Sequence, residues 1–156
     1  MPLRSNLHNS YVWWLYCLLL CMKGSYVLVL QLSKDREITV GKLGTLLFKK
    51  GYYVYVGSAL NGLEHRLQRH LRNEKRLHWH IDYLLAYASI VDIFFREGDT
   101  REECAIAHSF ASSLISIPHF GCSDCSCKSH LFFGTYKEIK DCIVTLELAS
   151  YILTET

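Results

Sequence analysis

With 156 residues, half of them hydrophobic and 21% charged, and with only 9 Gly and 2 Pro, the chain can bury one core and has the composition of a packed globular domain. Disordered, collagenous and low-complexity classes are excluded. A formal charge of +2 implies a polyanionic partner only if basic residues are gathered locally. Seven cysteines, an odd number with Cys122, Cys125 and Cys127 crowded together, do not form a secreted disulfide framework. They read as small apolar residues or as a local metal or thiol site in a reducing compartment, which places the protein in the cytoplasm.

Residues 11–22 form an apolar run of twelve, shorter than the roughly 20 residues that span a membrane. No A-x-A cleavage pattern follows it, and no stable membrane association is expected. Met22 opens a segment that alternates like a strand, so the domain is expected over 22–156. Residues 1–21 read as a mis-assigned start, as an export or anchoring segment, or as an extra helix.

Ser25 to Leu32 is β-branched and aromatic-rich and ends in the polar stretch 33–36, a strand followed by a turn. Short strand-like pieces follow at 37–40 and 43–48, and Gly51 opens a buried strand over 52–56 that stops at Gly57. A helix is expected over 63–73, capped by Asn61, with Leu63, Leu67 and Leu71 as its apolar stripe. Arg69, Arg72 and, if the helix runs on, Arg76 fall opposite the stripe, whereas Arg66 and His70 sit at its edge. A second helix is expected over 78–88, where His78 and Asp82 are one turn apart and within pairing reach. A strand then follows at 90–95. A third helix over 101–115 turns Glu103 toward the core with Ala107, Phe110 and Leu114. The tail holds a Cys-rich loop, a strand at 131–133 and an amphipathic stretch over 137–152. The fold class expected is α+β: a small, mostly antiparallel sheet, tyrosine strands central, flanked by helices.

Gly24-Ser25-Tyr26 on one strand, Tyr55-Val56-Gly57 on another, Arg66 nine residues on, then His70 and Glu103, together resemble the GIY-YIG nuclease superfamily. More narrowly, YYVYVGSALNGLEHRLQRHLR, HWHIDYLL and FGCSDCSCKSHLFF resemble a small uncharacterised branch that also occurs joined to endonuclease-III-type repair enzymes. The resemblance covers about residues 22–136. It implies a divalent-metal-dependent DNA endonuclease that hydrolyses phosphodiesters, directed by DNA structure, in repair or recombination. Branched or damaged duplex would be the substrate and a repair glycosylase a partner. Glu103 would hold Mg²⁺ or Mn²⁺, and Arg66 would neutralise charge on the phosphate. Tyr26 would help activate the attacking water, its pKa lowered by nearby cations. Tyr55 and His70 would orient water or phosphate. Gly57 would let the backbone approach, with Gly24, Ser58 and Asn61 shaping the site.

The same residues have plainer readings. Tyr26 and Tyr55 fit as strand residues with hydroxyls at a sheet edge. Thr100-Arg101-Glu102-Glu103 fits a capping box in which Glu103 reaches back to its helix start. Arg66 fits as a side chain snorkelling along the stripe, and His70 as a helix-rim histidine. Ser25 stands where the family has an apolar residue, and Ser58 where several relatives carry lysine. The asparagine many members have after the glutamate is absent, leaving Ser123 or Asp124 as substitutes.

Arg66, Arg69, Arg72, Lys75 and Arg76, with His80 nearby, form a basic face suited to phosphates without base reading. On its own such a face is equally a solvated one, and the fold with weakened chemistry would serve as a nucleic-acid-structure binding module. The loop carrying Cys122, Cys125, Cys127 and His130 offers a tetrahedral zinc set, compressed into nine residues, or a reactive thiol, or simple packing.

Overall fold

The computed structural model describes residues 12–14, 17–18, 21–122 and 125–151. Most of the 1–21 stretch, and the candidate substitutes Ser123 and Asp124, lie outside the described residues. No helix among them is long and apolar enough to cross a membrane. Met22 already belongs to the fold, since its carbonyl accepts the Leu63 N–H at 2.8 Å.

The architecture is α+β, a six-stranded, antiparallel sheet with helices on both faces and a small separate hairpin. The central pair is β1 (Gly24–Leu32) and β4 (Gly51–Ala59), in register from Gly24↔Ala59 to Leu32↔Gly51. β5 (Ser89–Glu97) flanks β1, and β7 (Leu131–Gly134) flanks β4. β8 (Ala149–Tyr151) and β6 (Ile115–Ser116) form the edges. The tyrosine strands are central, as their β-branched and aromatic content predicts.

β1 is buried on both faces, so its two-residue period sorts side chains between two cores instead of between core and solvent. Tyr26, Leu28 and Leu30 join a cluster with Tyr53, Leu63, Leu67, Ile81 and Leu84. That face is covered by α1 (Leu63–Leu71), by α2 (His80–Leu85) and by the hairpin of β2 (Arg36–Val40) and β3 (Gly44–Phe48). Val27, Val29, Val54 and Val56 point the other way, onto Ile106 and Phe110 of α3 (Glu103–Ala111) and Ile139 and Ile143 of α4 (Tyr136–Thr145). Helices on both faces of one sheet let this modest length bury two apolar clusters, one on each side.

Several boundaries differ from expectation. Asn61 does not cap α1; the cap position is Gly62, at φ 126, which needs no side-chain bond there. α2 starts two residues later than predicted because the Asp82 carboxylate accepts the His78 and Trp79 N–H groups, holding Trp79 extended at its N-terminus. Asp82 therefore meets the backbone of His78. α3 begins at Glu103 with Glu102 as its cap and no side-chain cap bond, so the capping box from Thr100 does not form. The stretch predicted as amphipathic to 152 ends its helix at Thr145, turns at Glu147 with φ 55, and adds β8 to the sheet.

Candidate functional site

The first half of the site follows from one cross-strand pair. Tyr26 of β1 faces Gly57 of β4, and its ring lies over the glycine: a Cβ at Gly57 would sit 2.4 Å from the Tyr26 ring and hydroxyl. Gly57 is thus required by the ring that covers it. Gly24 is held by a different neighbour, the Arg96 carbonyl of β5, which a Cβ would approach to 2.2 Å. Gly24 shapes the strand pair and stands apart from the cavity lining.

Tyr26, Tyr55, Arg66 and Glu103 line one solvent-open cavity of about 630 Å³. They arrive from β1, β4, α1 and α3, so tertiary structure alone brings them together. Gly57 and Ser58, at the end of β4, and Asn61, in the turn before α1, continue the wall. The Ser58 hydroxyl is buried with no hydrogen-bond partner among the described residues. Ser25, the departure in the first tripeptide, has a role here: its buried hydroxyl accepts the Glu102 N–H at 3.3 Å, tying β1 to the start of α3. Glu103 is half-buried, with Arg101 Nη1 3.9 Å from its carboxylate.

His70 lies behind the cavity. Its Nε2 is 2.6 Å from the Tyr26 hydroxyl, its Nδ1 is buried without a partner among the described residues, and it is 2% exposed. Burial, reinforced by Lys75, pushes its pKa down to about 3, so the imidazole is neutral. The cations expected to lower Tyr26 are outweighed: burial raises it far above its usual value, Arg66 opposing and Glu103 adding to the rise. Tyr55 is raised in the same way, with burial first, then Tyr26 and Glu103.

The basic face predicted on α1 divides. Arg66 reaches the cavity and stacks on Trp79, its guanidinium carbon 4.3 Å from a ring centroid. Arg69 stacks on the same tryptophan at 4.0 Å and grips Asp82 with two 2.8 Å bonds. Burial alone would raise the Asp82 carboxyl, yet Arg69 and the two backbone N–H groups hold it below the ordinary carboxylate value. Lys75 donates to the His70 carbonyl at 2.7 Å, closing the end of α1. Arg72 and Arg76 are exposed. His80 lines the cavity, but its Nδ1 accepts the Gly121 N–H at 2.9 Å, and burial lowers its pKa.

Lys42, from the turn of the β2–β3 hairpin, and Arg101 also line the cavity and add to its positive charge. Sequence reading missed both: Lys42 lies in a hairpin turn with no periodicity, and Arg101 stands at the start of the expected 101–115 helix, ahead of the residues whose stripe assigns a face. It also missed Cys104. The ligand atoms of Cys104, Cys125, Cys127 and His130 lie within 4.8 Å of one another, a group able to hold a metal ion. Cys122, expected in that set, instead donates its thiol to the Phe120 carbonyl at 3.4 Å. Cys104 had offered one signal, its place directly after Glu103 on the first turn of α3.

No curated protein and no solved structure matches the chain. Over residues 25–150 the chain matches the family model of DUF123, a domain of unknown function, and it belongs to that family.

Proposed function

We propose that this domain is a metal-dependent DNA phosphodiester hydrolase of the GIY-YIG kind, acting on branched or damaged duplex. The observation that carries the reading is the convergence of Tyr26, Arg66 and Glu103 on one open cavity from three separate elements. Glu103 fits a hard divalent cation such as Mg²⁺ or Mn²⁺, which takes one or two protein carboxylates and completes its shell with water and phosphate oxygens. When bound, such an ion polarises the scissile phosphate and stabilises the leaving oxygen.

The chain's own groups do the rest. Arg66, held in place on Trp79, presents a planar fork to a phosphate oxygen. The Ser58 hydroxyl, without a hydrogen-bond partner among the described residues, would donate to a second oxygen. The neutral His70, its Nε2 2.6 Å from the Tyr26 hydroxyl, fixes the orientation of that hydroxyl, and Tyr26 in turn orients the attacking water by hydrogen bonding. Lys42 and Arg101 draw the backbone toward the cavity.

A second reading, structure recognition without cleavage, is favoured by one observation: a buried tyrosine with a strongly raised pKa is a poor base. Incubation of the full chain with labelled duplex, nicked, flapped and four-way DNA, with Mg²⁺, Mn²⁺ or chelator, decides between the two. Metal-dependent cleavage lost in Glu103→Gln supports hydrolysis. Tight binding of branched DNA without cleavage by any metal overturns it in favour of recognition.

A further inference from the structure

We propose that Cys104, Cys125, Cys127 and His130 bind one zinc ion as a closed structural site that pins the Glu103-bearing end of α3 to the loop before β7. The site is separate from the cation proposed at Glu103 and stands whether or not the cavity hydrolyses anything.

Three features carry the inference. First, the spacing objection to a zinc loop disappears when the first ligand comes from α3. The set becomes C-x20-C-x-C-x2-H, drawn from a helix and a loop far apart in sequence. Second, the separations suit an ion. A tetrahedron with Zn–S of about 2.3 Å and Zn–N of about 2.0 Å has S···N edges of about 3.5 Å and S···S edges of about 3.8 Å. His130 Nε2 lies 3.4 Å from Cys125 Sγ and 3.9 Å from Cys104 Sγ, and no pair in the set exceeds 4.8 Å. An ion would draw the longest pair in by about an ångström.

Third, these thiols are not explained as core. Cys142 packs on the cluster beneath α3 and α4, whereas Cys104, Cys125 and Cys127 belong to neither apolar cluster. Three half-buried sulfurs that belong to neither apolar cluster, gathered around a buried imidazole, are a soft donor set of the kind that selects zinc over magnesium or calcium.

His130 is positioned for the role by its backbone. It donates to the Phe120 carbonyl at 2.8 Å and accepts the Val56 N–H of β4 at 3.0 Å, between Tyr55 and Gly57. A zinc ion linking His130 to Cys104 would therefore fix Glu103, one residue before, against the strand that carries Tyr55. Four protein ligands leave no open position, so the ion serves structure.

The test reads metal and spectra only, so its failure is distinct from a failure of hydrolysis. The full chain, purified under reducing conditions without chelator, is expected to carry one zinc per chain by elemental analysis. Cobalt substitution is expected to give thiolate charge-transfer absorption and the visible bands of a tetrahedral ion. Cys104→Ser is expected to lose about a third of the charge-transfer intensity, or all binding, while Cys122→Ser leaves the spectrum unchanged. X-ray absorption fine structure on the wild-type zinc protein, which needs no variant to fold, is expected to show three sulfurs at about 2.3 Å and one nitrogen at about 2.0 Å. Absence of zinc together with absence of cobalt charge transfer overturns the proposal. So does a four-sulfur shell, or a spectrum lost in Cys122→Ser and kept in Cys104→Ser.

Discussion

The Tyr26 ring occupies the space that a side chain at Gly57 would need, so the stretches Gly24–Tyr26 and Tyr55–Gly57 are two sides of one contact. Gly57→Ala is expected to cost about 1–3 kcal/mol, the usual price of overpacking a closed core position, measured by urea unfolding. In a Tyr26→Ala background the same substitution meets no ring and should cost well under half as much. Equal costs in the two backgrounds would mean that the glycine is required by its strand conformation instead.

His70 gives the protein a defined acid sensitivity. Its native pKa of about 3 lies below the usual value near 6.5, so the unfolded chain binds the proton first as pH falls. The stability tied to neutral His70 is therefore complete above about pH 6.5 and is lost progressively as pH falls toward 3. Between pH 7 and pH 5 the loss is about 2 kcal/mol from this group. Urea unfolding at both pH values should show that fall in the wild type. His70→Gln should have lower stability at pH 7 and a difference between the two pH values smaller by about that amount. An unchanged difference would place the imidazole outside the buried, neutral state.

Arg66 and Arg69 stack on one tryptophan yet should fail in different ways. Arg69 neutralises Asp82, whose side chain is fully buried, so Arg69→Ala strands a carboxylate and is expected to cost about 3–5 kcal/mol. Arg66 faces the cavity, so Arg66→Ala should leave stability within about 1 kcal/mol and weaken binding to four-way DNA. The slope of log affinity against log salt should fall by about 0.9, one phosphate contact. Fluorescence anisotropy over a salt series measures the slope, and a slope unchanged in Arg66→Ala would remove that residue from the phosphate path.

The division between these arginines explains what the sequence could and could not disclose. Periodicity places Arg66 at the stripe's edge and Arg69 across from it, and both placements are compatible with a solvated basic face. The bond from Arg69 to Asp82 crosses thirteen positions and a loop, and no local pattern encodes it. Apart from its place beside Glu103, Cys104 gives no sign of being a ligand for the same reason, since its partners lie on a loop that only the tertiary fold brings near. β8 was hidden differently: the chain reverses at Glu147 in a left-handed conformation without the glycine or proline that normally marks a turn. By contrast, β1 and β4 were legible, because dense β-branched and aromatic runs have few alternatives to a central strand. The Ala107–Phe110–Leu114 stripe sets α3 against the face with Val27 and Val54, but it gives no sign that Glu103 opens onto a cavity shared with Tyr26 of the other face.

Glu103 and Arg101 give the last prediction. The guanidinium 3.9 Å from the Glu103 carboxylate is mostly exposed, so the pair is weak, but it competes with a cation for the same oxygens. Removing Arg101 should tighten Mn²⁺ at that carboxylate by about two- to fivefold, the factor set by a surface ion pair of a few tenths to one kcal/mol. Glu103→Gln should abolish that Mn²⁺ binding. The glutamine would also lose a favourable charge at the N-terminus of α3, lowering stability by about 0.3–1 kcal/mol without unfolding the domain. Calorimetric titration of Mn²⁺ into zinc-saturated wild type, Arg101→Ala and Glu103→Gln separates the effects, because a pre-filled thiolate site cannot contribute to the signal. Wild-type Mn²⁺ binding that persists in Glu103→Gln would take the cation away from Glu103, and with it the proposed hydrolysis.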